Sequence, residues 1–179
     1  AGLEPVQARG GNLYFRTRAG AEGLFSKTNP GNTAWAKTTF YAPKAGTMYA
    51  MVGFDAPARS TRRCSGVPAA GEWSQCGTRI WVNGKEVKNP QTYKLAGQRR
   101  YEKHTWNSPD NEISFDNEEF WWARPPIPFQ VKAGENTILI EQPYTGNFQS
   151  WGVSFIPVKK SGDRWIADPS YYLKNKGEK

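Results

Sequence analysis

The sequence predicts an all-β fold in which two antiparallel sheets pack face to face as a sandwich. Three observations lead there. The chain of 179 residues carries 18 Gly and 13 Pro, a density of breakers that suits many short turns and poorly suits long helices. Only 37% of it is apolar, yet 14% is aromatic, with eight Trp, eight Tyr and nine Phe, so aromatic mass replaces aliphatic mass in the core. Finally, roughly eight short patterned runs alternate with turn clusters, as expected of two stacked sheets. The length fits one compact domain with a substantial core.

Residues 1–32 read as an N-terminal extension, with "NLYFRTR" (Asn12 to Arg18) as a first strand. The sandwich core is expected over 33–158. "TAWAKTTFYA" begins a strand at Thr33 and stops at Pro43 and the Lys44-Ala45-Gly46 turn. "TMYAMVGF" (Thr47 to Phe54) follows, with Met48, Ala50 and Val52 on one face and Tyr49, Met51 and Gly53 on the other. In "GTRIWVNGKEV" the Asn83-Gly84 pair supplies the left-handed backbone that a tight hairpin requires. Residues 89–126 are irregular and unusually aromatic, with short strands expected at Glu112 to Phe115 and Glu119 to Ala123. "PIPFQVKAGENTILIEQ" reads as a strand through Val131, a turn from Lys132 to Asn136 and a strand from Thr137 to Glu141, and Trp151 to Val158 forms the last strand. Residues 159–179 read as a basic tail, partly docked through Trp165, Ile166, Tyr171, Tyr172 and Leu173 or else a loose extension, with a mobile end expected from Lys174 to Lys179. Within the strands, Trp81, Phe54, Ile138, Ile140, Trp151, Val153 and Phe155 are expected to pack the core, and Trp35 resembles them.

The charge narrows the function classes. Twenty-four Lys and Arg against 16 Asp and Glu give +8, but the excess is scattered over Arg59-Arg62-Arg63, Arg99-Arg100 with Lys103, and the tail. Bases could stack on Trp106 or Trp73 beside these arginines, yet no RNA-binding or zinc-finger pattern accompanies them, so nucleic acid is not the expected partner. No apolar run approaches the length of a membrane span, and the start lacks the apolar core of a signal peptide, which is compatible with a leader already removed. Cys64 and Cys76 enclose a flexible loop that permits a local disulfide in an oxidising compartment; two free thiols are the alternative, and zinc fails for want of ligands.

A catalytic triad would need His104, the sole histidine, and no nucleophile elbow accompanies it. Asp116, Glu118 and Glu119 form the one carboxylate cluster that invites glycoside hydrolysis, but solvated turn acids fit as well. Asp116 or Asp55 could instead ligate a structural calcium ion, although no EF-hand spacing supports it. Sugars carry hydroxyls on their edges and apolar C–H patches on their faces, so a binder combines indole or phenol platforms with amides, carboxylates and Arg. Residues 101–124 hold that mixture: Tyr101, Trp106, Trp121, Trp122 and Arg124 as contacts, with Asn107, Asn111, Asp116 and Glu119 as hydrogen-bond partners. Trp121 and Trp122 would face opposite ways on a strand, so at most one is a platform. Trp73, inside the cysteine-bounded loop, either presents its ring to a ligand or covers the sandwich edge.

The segments "RIWVNGKEV", "PIPFQVKAGENTILIEQPY" and "WGVSFIPV" resemble the accessory β-sandwich domains of secreted glycoside hydrolases. In particular, residues 33–158 are similar to the C-terminal domain of chitobiase or β-hexosaminidase proteins of gut Bacteroidetes, a galactose-binding-like jelly roll. The resemblance implies a noncatalytic, carbohydrate-binding-like domain beside a barrel that hydrolyses terminal N-acetylhexosamine, exported to the periplasm, cell surface or beyond. The matching Trp81, Asn83, Gly84, Val131, Gly134, Asn136 and Ile138 carry the fold and no sugar site, and no catalytic residue transfers to this chain. A purely structural domain packed on the barrel is the alternative, and a small glycosidase the weaker one.

Overall fold

The computed structural model describes residues 4–16, 23–25, 28–54, 69–74, 76–91, 126–144 and 151–171. Nine strands occur among them: β1 (Asn12–Arg16), β2 (Thr33–Ala42), β3 (Gly46–Phe54), β4 (Arg79–Val82), β5 (Lys85–Val87), β6 (Ile127–Val131), β7 (Gly134–Pro143), β8 (Trp151–Ser161) and β9 (Arg164–Ala167), followed by a short 3-10 turn at Pro169–Tyr171. No helix among the described residues is long and apolar enough to cross a membrane.

One sheet has the order β1-β8-β3-β6, with β9 also paired to β8; the other runs β2-β7-β4-β5, and every pairing is antiparallel. β1 and β9 share one edge of β8. The Phe155 N–H donates to Gly11 and the Pro157 carbonyl accepts from Asp168, and alternate residues of a strand direct their backbone groups to the same edge. Gly152 is what lets β1 approach, because a Cβ there would meet the Leu13 carbonyl oxygen at 2.4 Å.

Alternation sorts the side chains into layers. β7 is the cleanest case: Asn136, Ile138, Ile140 and Gln142 are buried while Thr137, Leu139, Glu141 and Pro143 face out, half-buried. Its inward residues meet Ala34, Phe40 and Ala42 of β2 and Ile80 and Val82 of β4 in a core closed from the other side by Met48, Ala50, Val52, Phe54, Ile127 and Phe129. The polar residues within this core are bonded to one another. Thr78 Oγ1 donates to Gln142 Oε1, Ser74 Oγ lies 2.7 Å from Thr78 Oγ1, and the Trp151 indole N–H donates to the Gln142 carbonyl at 3.2 Å.

The predicted hairpin turn is present: Asn83 and Gly84 have φ of 52° and 80°. The turn before β7 is tighter than the sequence suggests. The strand begins at Gly134 instead of Thr137, because the Asn136 side chain is buried and supplies the hydrogen bonds a longer loop would have taken from water. Its Nδ2 donates to the Lys132 and Gly134 carbonyls at 2.7 and 2.9 Å, and its Oδ1 accepts from the Lys132 N–H at 3.0 Å and from Asn83 Nδ2 at 2.9 Å.

The largest departure is at the C-terminal end. The boundary expected at 158/159 falls inside β8, which runs to Ser161 and turns at Gly162-Asp163 into β9. Trp165 of β9 meets Tyr49 of β3 at 5.1 Å across β8, and Val158 between them is 6% exposed although it faces outward. Tyr171 docks edge-on to Phe40. Trp73 sits in the core, 2% exposed, stacked on Phe129 at 5.8 Å with its indole N–H donating to the Val87 carbonyl at 2.7 Å.

Replacing Asn136 with Ala strands the Lys132 N–H, two carbonyls and the Asn83 amide. The expected loss is about 3 kcal/mol, equivalent to roughly 6–12 °C in Tm for a domain of this size. Urea denaturation and thermal melting of the variant measure it; a loss near zero would show that water replaces the amide without penalty.

Candidate functional site

The outward face of the β2-β7-β4-β5 sheet carries the most developed surface cluster. In β2 the small or apolar Ala34, Ala36, Phe40 and Ala42 take the inward positions, which leaves Trp35, Lys37, Thr39 and Tyr41 facing solvent. Registry then assembles two cross-strand rows. Trp35 lies beside Glu141, which lies beside Arg79; Lys37 lies beside Leu139, then Trp81, then Glu86.

Trp35 is 54% exposed, and its ring meets that of Trp81 at 5.6 Å with an interplanar angle of 32°. The Arg79 guanidinium lies over Trp81 at 4.6 Å and is fixed there by carboxylates on both sides, at 2.9 Å from Glu86 and 3.4 Å from Glu141. Lys88 reaches Glu86 at 2.9 Å. A second outward pair, Tyr41 and Glu135, is joined by a 3.3 Å hydrogen bond.

These bonds set the protonation. Hydrogen bonds from Arg79 and then Lys88 lower the Glu86 carboxyl from 4.5 to about 2, and the Glu86 hydrogen bond raises the Arg79 guanidinium above its ordinary value. Since the folded-state value lies below that of the unfolded chain, the stabilisation from Glu86 is present above pH ~4.5 and is lost as pH falls through about 2. At neutral pH Glu86 is an ionised acceptor and cannot serve as a general acid. The face thus combines two indoles, a clamped guanidinium, carboxylate acceptors and a lysine. It can stack on an apolar ring face while bonding polar groups around the ring edge.

The structure relocates several residues named from the sequence. Trp35, expected in the core, is on the surface, because in β2 it shares parity with Lys37 and Thr39 and not with Ala34 and Phe40. Trp81, also expected to pack inside, is half-buried beneath Arg79 and beside Trp35. Phe54, Ile138, Ile140, Trp151 and Val153 are buried as expected, and Phe155 is partly so. Trp73 is a correction in the other direction: its ring and its N–H are committed to the core, so it is no ligand platform.

Tyr101, Trp106, Asn107, Asn111, Asp116, Glu119, Trp121, Trp122 and Arg124 lie outside the described residues, as do His104, Glu118, Asp55 and Cys64. Among the described residues no cysteine is free, and no three His, Cys, Asp or Glu side chains form a metal-holding group.

The signal for Trp35 and Arg79 was available in the sequence. Lys37 and Thr39 fix the outward parity of β2, and Arg79 alternates with the plainly apolar Ile80 and Val82. No protein-family model, curated protein or solved structure matches this chain.

Substituting Arg79 with Gln removes the principal donor to Glu86. The Glu86 carboxyl should then titrate well above 2, toward its ordinary 4.5, which carboxyl-detected NMR titration follows directly. An unmoved titration would show that Arg79 does not hold this carboxylate in solution.

Proposed function

We propose that this chain is a noncatalytic, carbohydrate-binding-like accessory domain of a secreted glycoside hydrolase of the chitobiase or β-N-acetylhexosaminidase type. The galactose-binding-like jelly roll, a location in the periplasm, at the cell surface or outside the cell, and the Cys64–Cys76 bridge belong to the same proposal. The observation that carries the binding role is the Trp35–Trp81 pair, with one indole 54% exposed at 5.6 Å from the other and charged hydrogen-bonding groups around it. A large indole left half-exposed on the outer face of a sheet leaves apolar area in water, a cost offset when a sugar ring covers it. The loop aromatics Tyr101, Trp106, Trp121 and Trp122 enter the proposal through their chemistry alone, as does calcium at Asp55 or Asp116.

The same exposed pair also fits a structural domain that buries it against its own catalytic barrel, since Trp and Arg are enriched at the centres of protein interfaces. The two readings predict opposite results for the isolated chain.

Calorimetric titration with chitooligosaccharides, backed by a glycan array, should give saturable binding. Trp35→Ala should weaken it by at least about tenfold. The accompanying change in Tm should be no more than about 4 °C, because the ring is mostly outside the core. Absence of saturable binding to any glycan would remove sugar recognition. Loss of full-length enzyme stability on deletion of the domain, with unchanged affinity for insoluble glycan, would favour the structural role. An unreduced mass lighter than the reduced one by a pair of hydrogens is expected for the bridge.

A further inference from the structure

Along the edge where β2 faces β1, the two sheets do not close. A cleft of about 500 Å³ opens between them, within the size range of small-molecule sites. The inner part of its wall is apolar, formed by Leu13, Ala36, Ile138, Ile140, Val153 and Phe155, while Thr38, Tyr171 and the segment 7–11 bound it. Solvent reaches inward-facing positions here. Leu13, Ala36 and Phe155 are only partly buried, and Thr38 is exposed although it shares the inward parity of Ala36 and Phe40.

The lip has one sign of charge. Arg9 and Lys37 line the cleft, and no carboxylate does among the described residues. Neither cation has an ion-pair partner among the described residues. The nearest acid in sequence to Tyr171 is Asp168, which is 9% exposed, accepts hydrogen bonds from Ser170 and lies 3.8 Å from Lys159. Its charge is therefore already matched by groups outside the cleft.

We infer that this cleft is a binding site for a single-chain anionic amphiphile, with the aliphatic chain between the sheets and a carboxylate head at Arg9 and Lys37. The apolar wall takes a chain by hydrophobic burial, which is roughly proportional to the area removed from water. The unpaired cations supply charge-assisted hydrogen bonds to a carboxylate and repel a cationic head. The Tyr171 hydroxyl is kept protonated by burial and by the Asp168 charge, so it remains a donor at the cleft wall. The cleft lies between the sheets, on the inward side of β2, whereas the glycan platform is on its outer face; Lys37, at the edge, is the residue the two have in common.

The test uses the full chain and dodecanoate below its micellar concentration, titrated calorimetrically near pH 7. One-to-one saturable binding is expected. Decanoate, shorter by two methylenes, should bind about fifteenfold more weakly. Dodecyltrimethylammonium, with the same tail and the opposite charge, should bind at least about tenfold more weakly, the worth of one charge-assisted hydrogen bond.

Thr38→Phe should fill the mouth and abolish binding. The double variant Arg9→Gln/Lys37→Gln changes only exposed side chains, so it carries the test even if Thr38→Phe does not fold. It should lower dodecanoate affinity by at least about tenfold while strengthening the binding of the cationic probe, which it no longer repels. Equal affinity for the two head groups, no chain-length dependence, or wild-type binding by a folded Thr38→Phe protein would each overturn the assignment.

Discussion

The Asn136 side chain is the point on which the two sheets depend. It lies just inside β7, immediately after the turn by which the chain leaves one sheet for the other, and it is fully buried. A polar group in that position is costly unless every hydrogen bond is made. Here the amide closes the Lys132–Gly134 turn from within and reaches the Asn83 amide of the β4–β5 hairpin. Asn83 in turn brackets Thr137, donating its backbone N–H to that residue's carbonyl at 2.8 Å and accepting Thr137's N–H on Oδ1 at 3.0 Å. Two turns distant in sequence are thereby held in one polar node, and the start of β7 is fixed relative to both β6 and β4.

That placement determines the surface chemistry. β7 is the strand that both β2 and β4 pair with, so its registry decides which residues lie between Trp35, Arg79 and Trp81 on the outer face. Strand side chains alternate with a period of two, and a one-residue slip would turn the whole row over. Leu139 and Glu141 would then be driven into the core while Ile138 and Ile140 entered water. The exposed indole pair and its guanidinium clamp are consequences of a registry that the buried Asn136 maintains from the far end of the strand, and no contact within the cluster itself has to define it.

Much of this was legible in the chain. The Asn83-Gly84 turn, the strands from Thr33 and to Phe54, and the inward set of Met48, Ala50 and Val52 follow from local chemistry, because turn preference and alternation act over a few residues. The extent of β7 did not, since Asn136 in a Gly-Glu-Asn stretch reads as turn until its partners in another hairpin are known. β9 was missed for a related reason. Gly162-Asp163 is a fair turn signal, but the basic composition around it masks a four-residue strand that is stabilised by Trp165 against Tyr49. Trp35 and Trp73 illustrate the same ambiguity from both sides: an indole is large enough to anchor a core and polar enough to face water. Parity places Trp35 outside, and a distant carbonyl on Val87 draws Trp73 in.

The aromatic-rich, aliphatic-poor composition has a spatial meaning at β2. A closed sandwich edge would put branched aliphatic residues at positions 36 and 38, where this chain has Ala36 and Thr38. Small residues there leave a gap that neighbouring side chains fill only in part, because backbones already fixed by sheet pairing cannot collapse onto it. The bulk that an ordinary strand would bury is instead on the other face, as Trp35 and Tyr41. The cleft and the aromatic platform therefore arise from one distribution of volume, large side chains outward and small ones inward. An exposed edge strand with that pattern would invite pairing with another chain; Lys37 at its centre keeps a charge on the edge and also sits at the lip of the cleft. Exchanging the sizes at 35 and 36 would close the gap and remove the platform in the same step, so the two surfaces are coupled through the parity of a single strand.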